Sequence, residues 1–241
     1  MRSYVSEGIT AKVRAAGGEI FAISSEPQTL SNRAQHEWKL DFESVGDPHH
    51  EITGLCRERG WLDLFFNERL EFLKRSTADQ ADWTPTHPKG YFQPGVLVLD
   101  QAGRVLYRWR GVPTHNNMGG AVARPTASYV WRQVESVLGD PDCVADAPLD
   151  EEAKLDFKGL PWALFMPLLV ANGWFFNPRG FKQPSHLARA AFRLLAFALL
   201  WAAAFVWLPT LPTLFALALW IFFITPKVRW LGREFQNESV P

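Results

Sequence analysis

The spacing of apolar positions predicts several helices in the first 140 residues. Apolar side chains recur every three or four positions over 3–16, 29–40 and 49–58, which is typical of helices with one buried face. A last helix is predicted over 126–138, where Thr126 can cap the first turn. This region is therefore expected to be rich in helices separated by short connections.

Segments with strand character lie between these helices. Residues 18–24 form a near-continuous apolar run, typical of a strand buried on both faces, and residues 42–45 form a shorter extended piece. The segments 95–100 and 105–111, joined by a short turn, are the clearest hairpin signal in the chain. The order of elements indicates the α/β class with a mixed sheet.

Two further stretches of this region are less regular. Helical spacing resumes over 62–73, and a polar, proline-rich and glycine-rich stretch over 74–95 is typical of a surface excursion. Asp47-Pro48 is expected to be a turn.

The last third of the chain has a different pattern. Residues 194–226 contain no charged side chain, and one straight helix of this length would measure about 50 Å, well beyond the ~30 Å hydrocarbon core of a bilayer. Pro209 and Pro212 lie at the middle, so we expect two helices, over about 190–208 and 212–225. A C-terminal α-helical membrane hairpin is the prediction, and a hairpin buried in a soluble core is the alternative.

The segments before the hairpin complete the domain plan. The charge-free stretch 159–178 is interrupted by prolines, which favours a segment lying in the membrane interface over one that spans. The acidic stretch 140–158 is expected to be an exposed tether. We therefore predict a soluble domain over 1–139, a linker over 140–158, and a membrane-associated region over 159–241 that contacts the lipid bilayer through about 159–226.

Charge divides the chain in the same way. The net charge is zero, but residues 1–158 carry 18 basic and 23 acidic side chains, whereas residues 159–241 carry 7 basic and 2 acidic ones. Basic residues flank both outer ends of the hairpin, so the positive-inside rule places both ends, and the soluble domain, in the cytosol. The balanced charge and the lack of a basic, aromatic stripe give no indication of a nucleic-acid partner.

The two cysteines, Cys56 and Cys143, form no C-x-x-C motif. No secretory signal is visible at the start of the chain, so a reducing compartment is expected. Cys56 is the candidate nucleophile, because Arg57 and Arg59 could lower its pKa, although the role of a small buried apolar residue is favoured. Cys143 lies among aspartates, which would raise its pKa.

No cofactor or metal is predicted. His49, His50, Glu51 and Cys56 are close in sequence, but adjacent histidines point to different sides of a helix, so solvated loop residues are favoured over ligands. Residues 114–125 contain glycines without the lysine of a phosphate-binding loop.

Three segments carry a family resemblance: EIFAISSEP, LDFESVGDP and FQPGVLVLDQAGRVLYRWRG. In this order and spacing, residues 1–139 resemble the peroxiredoxin-like alkyl hydroperoxide reductase/thiol-specific antioxidant (AhpC/TSA) family of the thioredoxin-like superfamily. The resemblance implies a thioredoxin-like fold and thiol-dependent reduction of peroxides or disulfides. It also implies a cis-proline at Pro94 that faces the substrate; a trans proline at the start of a strand is the alternative.

The family pattern begins with a central strand and a cysteine-containing turn, whereas residues 1–8 resemble the segment after that turn. Neither Cys56 nor Cys143 matches the redox position. We therefore expect an incomplete thioredoxin-like domain, from a truncated gene model or a degenerate relative. The strands at 18–24 and 95–100 would then either pair directly or keep unpaired edges.

These expectations combine into a membrane-anchored thioredoxin-like protein that resembles thiol-dependent antioxidant enzymes and is inactive without the redox cysteine. A protein thiol is its candidate partner. A non-enzymatic thioredoxin-like binding module at a membrane surface is the alternative. A small membrane-shaping or complex-assembly protein is a third possibility.

Overall fold

The computed structural model describes residues 1–67, 90–117, 123–140, 146–155, 161–181 and 183–235. Its helices are α1 (Arg2–Ser6), α2 (Ile9–Ala15), α3 (Gln28–Glu37), α4 (Glu51–Glu58), α5 (Ala127–Leu138), α6 (Trp162–Asn172), α7 (Pro184–Trp207) and α8 (Thr210–Phe235). Its strands are β1 (Phe21–Ser24), β2 (Glu43–Gly46), β3 (Phe66–Asn67), β4 (Tyr91–Phe92), β5 (Gly95–Leu99) and β6 (Val105–Arg110).

The mixture of helices and strands confirms the α/β class, but the strands do not form one sheet. β1 pairs with β2 in parallel, β3 with β4 antiparallel, and β5 with β6 antiparallel. The sequence left two outcomes for the strands now seen as β1 and β5: they pair directly, or their edges stay unpaired. Within the described residues they do not pair with each other, so direct pairing is wrong.

The first helix is divided where one helix was expected. α1 ends before Gly8, which has a positive φ of 68°, and α2 begins at Ile9. A left-handed residue interrupts the helical hydrogen-bond ladder, and glycine adopts this conformation without a steric cost. The two short helices still bury one face, since Ile9 packs in the core of the domain.

The prediction that β1 is buried on both faces is wrong. Ala22 is buried against Leu40 and Phe42, but Phe21 and Ile23 are 57% and 37% exposed. Alternate residues of a strand point to opposite faces, so one face of β1 packs on the domain and the other carries two exposed apolar side chains. β1 pairs with no described strand other than β2.

The predicted hairpin is confirmed in β5 and β6. Asp100 shapes the turn: its backbone amide donates to the Arg104 carbonyl at 3.0 Å, and its carboxylate accepts from the amides of Ala102 and Arg104. The Arg104 guanidinium completes an ion pair with the same carboxylate. The hydrogen bonds and the Arg104 guanidinium hold the pKa of Asp100 below its ordinary value.

The predicted last helix of the domain is confirmed as α5. The Thr126 hydroxyl accepts from the Tyr129 amide at 3.1 Å and so caps its N-terminus. The apolar face of α5 packs on β6 and α2 in the main core, whose buried members are Ile9, Leu106, Tyr107, Trp109, Ala127, Val130, Trp131 and Val134.

Residues 146–155 are held along the domain, which differs from the exposed tether expected for 140–158. The Ala147 amide donates to the Val105 carbonyl at 2.8 Å, and the Asp150 amide donates to the Arg108 carbonyl at 2.9 Å. The Asp150 carboxylate accepts from the hydroxyls of Tyr107 and Tyr129, at 3.0 Å each. The packed region of the domain therefore continues past residue 139 as far as 155.

Several expectations fall wholly or partly outside the described residues. The helix predicted over 62–73 is wrong for its first part, because 62–65 have no helix and β3 follows. Residues 68–89, 118–122, 141–145, including Cys143, and 156–160 lie outside the described part of the chain.

Two long apolar helices follow in the C-terminal third and are compatible with the predicted hairpin. Both are longer than predicted: α7 begins at Pro184, before the basic residues, and α8 continues through Pro226 to Phe235. Pro209 separates them, whereas Pro212 lies in the first turn of α8, where a missing amide proton costs little. α6 packs against both helices near their charged ends.

Candidate functional site

Cys56 lies half-buried on α4, in surroundings that do not activate a thiol. Burial, followed by the negative charge of Asp47, raises the pKa of Cys56 above its ordinary value. The two arginines expected to lower it are engaged elsewhere: Arg57 pairs with Asp63, and Arg59 lies over the Trp61 ring at 5.1 Å. The thiol is therefore protonated at neutral pH and is a poor nucleophile.

Asp47 has a structural role that the turn prediction did not include. Its side chain is buried, with 3% of the residue exposed, and its carboxylate accepts from the amides of Glu51, Ile52 and Thr53 and from the Thr53 hydroxyl, at 2.7 to 3.2 Å. These amides are the orphan donors at the start of α4. The Asp47 carboxylate thus occupies the N-terminus of the helix that carries Cys56.

His49 is exposed, whereas His50 is half-buried and packs against two aromatic rings. The His50 ring stacks on Phe66 at 4.5 Å between centroids and lies 4.8 Å from the Phe92 ring. Its φ of 60° places it in the left-handed region at the N-cap of α4. His50 therefore joins α4 to the β3–β4 pair through aromatic contacts.

The prediction of a cis-proline at Pro94 is wrong. The described residues contain no cis peptide bond, so the bond between Gln93 and Pro94 is trans. Gln93 is buried beside it, and its amide donates to the Phe65 carbonyl at 2.8 Å. Pro94 is thus an ordinary proline immediately before β5.

The described part of the domain was also compared with the requirements of a metal site and of a ligand pocket. Its residues contain no group of three His, Cys, Asp or Glu side chains arranged to hold a metal ion. Two shallow surface depressions, one beside Arg59 and Trp61 and one beside Gln35 and His36, are open to solvent. Neither includes Cys56 or Pro94.

The helical hairpin is the most distinctive surface of the molecule. In an apolar stretch of 18 residues, only 6% of the residues of α7 and 11% of those of α8 are buried, so the side chains of these stretches point outward. Ten large apolar side chains of these helices are more than half exposed: Phe192, Leu195, Leu199, Leu200, Val206, Trp207, Leu211, Phe215, Phe222 and Phe223. Both helices are long and apolar enough to cross a membrane.

The charged ends of the hairpin are covered by α6, which forms a second apolar core with α8. Its buried members are Phe165, Met166, Leu169, Val170, Ile224 and Leu231. The expected interfacial segment 159–178 is thus, over α6, a packed helix that leaves Leu164 exposed. This packing fixes α6 at the end of the hairpin where the charges lie.

The loop that follows α6, residues 173–176, lies between α7 and α8. The Phe175 ring stacks on Phe197 of α7 at 3.9 Å, and the Phe175 carbonyl accepts from the indole of Trp220 in α8 at 3.0 Å. Trp174 and Phe175 both have positive φ values, and the Trp174 and Phe176 side chains are exposed. Sequence reasoning missed this loop, although three consecutive aromatic residues after Asn-Gly were a visible signal.

One cation of α7 and one of α8 bind backbone carbonyls at the end of α6 and in the loop that follows it. The Arg193 guanidinium donates to the Asn172 carbonyl at 3.1 Å and lies 3.9 Å from the centroid of the Trp174 ring. The Lys227 ammonium donates to the Phe176 carbonyl. Arg193 and Lys227 directly bracket the charge-free stretch 194–226, so the loop joins both ends of that stretch.

Comparison of the chain with protein families, curated proteins and solved structures finds no match in any of the three.

Proposed function

We propose that this protein is anchored in a lipid bilayer by α7 and α8, which hold the α/β domain at the membrane surface. The observation that carries the proposal is the outward orientation of the apolar side chains, since only 6% and 11% of the residues in the apolar stretches of α7 and α8 are buried. A core helix of a soluble protein would be mostly buried, and neither helix is near the start of the chain, where a signal sequence lies.

The energetics support a lipid environment. Removing a large apolar side chain from water stabilises a protein by roughly 1.5–3 kcal/mol, and ten such side chains are more than half exposed here. The cost of exposing all ten to water is comparable with the roughly 5–15 kcal/mol by which a domain is stable. Hydrocarbon chains remove this cost.

The cytosolic orientation belongs to the same proposal. Arg193 and Lys227 lie at the boundaries of the charge-free stretch, and Arg189, Arg229 and Arg233 lie farther toward the same end of the hairpin. Positive side chains near membrane segments favour the cytosolic side. Both helix ends, and the α/β domain before them, then face the cytosol.

A flotation experiment with liposomes tests the anchor. The purified chain is mixed with phosphatidylcholine vesicles containing a fifth of anionic lipid, and we expect it to float with them and to resist extraction by alkaline carbonate. The double substitution Leu200→Glu and Phe222→Glu puts a charge on each helix and should abolish flotation. The matched control Phe21→Glu changes an exposed apolar side chain of the α/β domain and should float normally. Recovery of the unmodified chain in the soluble fraction would contradict the proposal.

For the α/β domain we propose a non-enzymatic role as a thioredoxin-like binding module for a protein partner. The resemblance to the AhpC/TSA family implies thiol chemistry, but burial and Asp47 keep the Cys56 thiol protonated. β1 offers a specific surface, because Phe21 and Ile23 are exposed beside an edge that pairs with no described strand. An extended apolar segment of a partner can add a strand to such an edge.

A peroxidase assay separates this role from the enzymatic alternative. The full chain in detergent is assayed with hydrogen peroxide and with an organic hydroperoxide, using dithiothreitol as the reductant. We expect no turnover above the protein-free reaction, and no change with Cys56→Ser or Cys143→Ser. Robust turnover that is lost in Cys56→Ser would establish a thiol peroxidase and contradict the non-enzymatic role.

A further inference from the structure

Each whole helix is long enough to cross a membrane, but the charge-free arms beyond Arg193 and Lys227 are shorter than the hydrocarbon core. At 1.5 Å per residue, residues 194–208 extend about 22 Å and residues 210–226 about 25 Å, against a hydrocarbon core of about 30 Å. Both arms start at a similar level, because Arg193 binds the Asn172 carbonyl at the end of α6 and Lys227 binds the Phe176 carbonyl four residues later. The tip of the hairpin then lies short of the opposite surface.

The side chains of the tip suit hydrocarbon. Trp207 and Leu211 are each 81% exposed, Leu208 is more than half exposed, and residues 207–212 include no charged side chain. A turn that emerged into water on the far side would expose all three apolar side chains. Loops that emerge from membranes are ordinarily polar, and this tip is not.

The backbone of the tip also has few free donors. Pro209 and Pro212 have no amide hydrogen, the Leu208 amide donates to the Ala204 carbonyl at 2.9 Å, and the Thr213 amide and hydroxyl both donate to the Pro209 carbonyl. An unpaired amide is costly in hydrocarbon, where no water replaces the missing bond. This turn therefore presents fewer unpaired amides than a turn of other residues would.

We propose that α7 and α8 form a re-entrant anchor: the hairpin enters and leaves the bilayer by the same face, and its tip at 207–212 stays within the lipid. The ligand is the acyl-chain region of one leaflet and the adjoining part of the other, not the far aqueous phase. This inference rests on the proposed membrane anchor and specifies how deep that anchor reaches.

Cysteine accessibility tests the depth. In a background of Cys56→Ser and Cys143→Ser, Thr210→Cys places a single thiol at the tip, and Ser185→Cys places one at the base of α7. Each variant is reconstituted into sealed liposomes and exposed to a membrane-impermeant maleimide, either added outside or enclosed inside. We expect Ser185→Cys to react without detergent. Thr210→Cys should react at least tenfold more in the presence of detergent than in its absence.

Two outcomes would overturn the inference. Reaction of Thr210→Cys from the side opposite to Ser185→Cys would show that the hairpin crosses the bilayer, and reaction from the same side would show that the tip is outside the lipid. Flotation of the same samples separates these results from failure of the anchor, since a chain that does not float contradicts the proposed function itself.

Quenching by spin-labelled lipids gives an independent measure. A bimane attached at Thr210→Cys should be quenched more strongly by a nitroxide deep in the acyl chain than by one on the headgroup. Stronger quenching by the headgroup nitroxide would place the tip at a membrane surface and overturn the inference.

Discussion

At the scale of single residues, Cys56 shows how its surroundings decide the behaviour of a thiol. Arg57 and Arg59 are neighbours in sequence, yet their guanidinium groups bind Asp63 and the Trp61 ring. Burial and Asp47 therefore act on the thiol without compensation, and both favour its neutral form. Sequence proximity to a positive charge is not sufficient to activate a cysteine.

The raised pKa of Cys56 gives a prediction about its alkylation. In a Cys143→Ser background, the rate of reaction with iodoacetamide should rise with pH to a midpoint above the ~8.5 of an ordinary thiol. At pH 7.5 the folded protein should therefore react more slowly than the same protein in denaturant. A midpoint below that of the denatured chain would contradict the description of Cys56 as an unactivated thiol.

Asp47 provides a second prediction at this scale. Asp47→Ala removes four hydrogen bonds to the start of α4 and should lower the free energy of unfolding by about 2 kcal/mol. Chemical denaturation of the full chain in mild detergent, followed by circular dichroism, measures the change. Glu58→Ala removes an exposed carboxylate from the other end of the same helix and should change the free energy by less than about 0.5 kcal/mol. Equal stability of the two variants would show that the cap contributes nothing.

At the scale of elements, local patterns predicted those elements whose stability is local. The β5–β6 hairpin is an example, because Asp100 and Arg104 fix its turn within five residues. β1 was predicted in place but with the wrong burial, since burial depends on which strands pair with it. The packing of 146–155 was missed for the same reason: Asp150 binds two tyrosine hydroxyls that lie 43 and 21 residues away.

Two glycines, Gly46 in β2 and Gly54 in α4, give opposite predictions for substitution by alanine. A Cβ at Gly46 would lie 2.5 Å from the Glu26 carbonyl oxygen and 2.6 Å from the Gln28 amide nitrogen, both backbone atoms that cannot move independently. Gly46→Ala should therefore lower the free energy of unfolding by roughly 1–3 kcal/mol. Gly54, within α4, has open space around the same position, so Gly54→Ala should raise it by about 0.5–1 kcal/mol.

Denaturation midpoints of the two variants, measured side by side with the unmodified chain, check both signs. A stabilising Gly46→Ala would mean that the close approach between β2 and the start of α3 does not exist in solution.

At the scale of the whole molecule, the zero net charge is the combination of an acidic α/β domain and a basic hairpin end. The two regions also touch. His115, in the short 3₁₀ turn His115–Asn117, lies within 2.9 Å of the Gly232 carbonyl of α8 through its Nε2 atom, and its ring stacks on Trp162 of α6 at 4.4 Å. This histidine joins the α/β domain to α6 and to α8 at the charged end of the hairpin.

Loss of this contact should loosen the end of α8 without unfolding the domain. His115→Ala removes one hydrogen bond and one ring stack, together worth roughly 1.5 kcal/mol, so amide exchange over 228–235 should become about tenfold faster. Hydrogen–deuterium exchange of the full chain in lipid nanodiscs, read by mass spectrometry, measures this rate, and α5 serves as an internal reference that should not change. His36→Ala, which removes an exposed histidine from α3, should leave both regions unaltered. Unchanged exchange over 228–235 in His115→Ala would mean that the domain is tethered to the anchor by the chain alone.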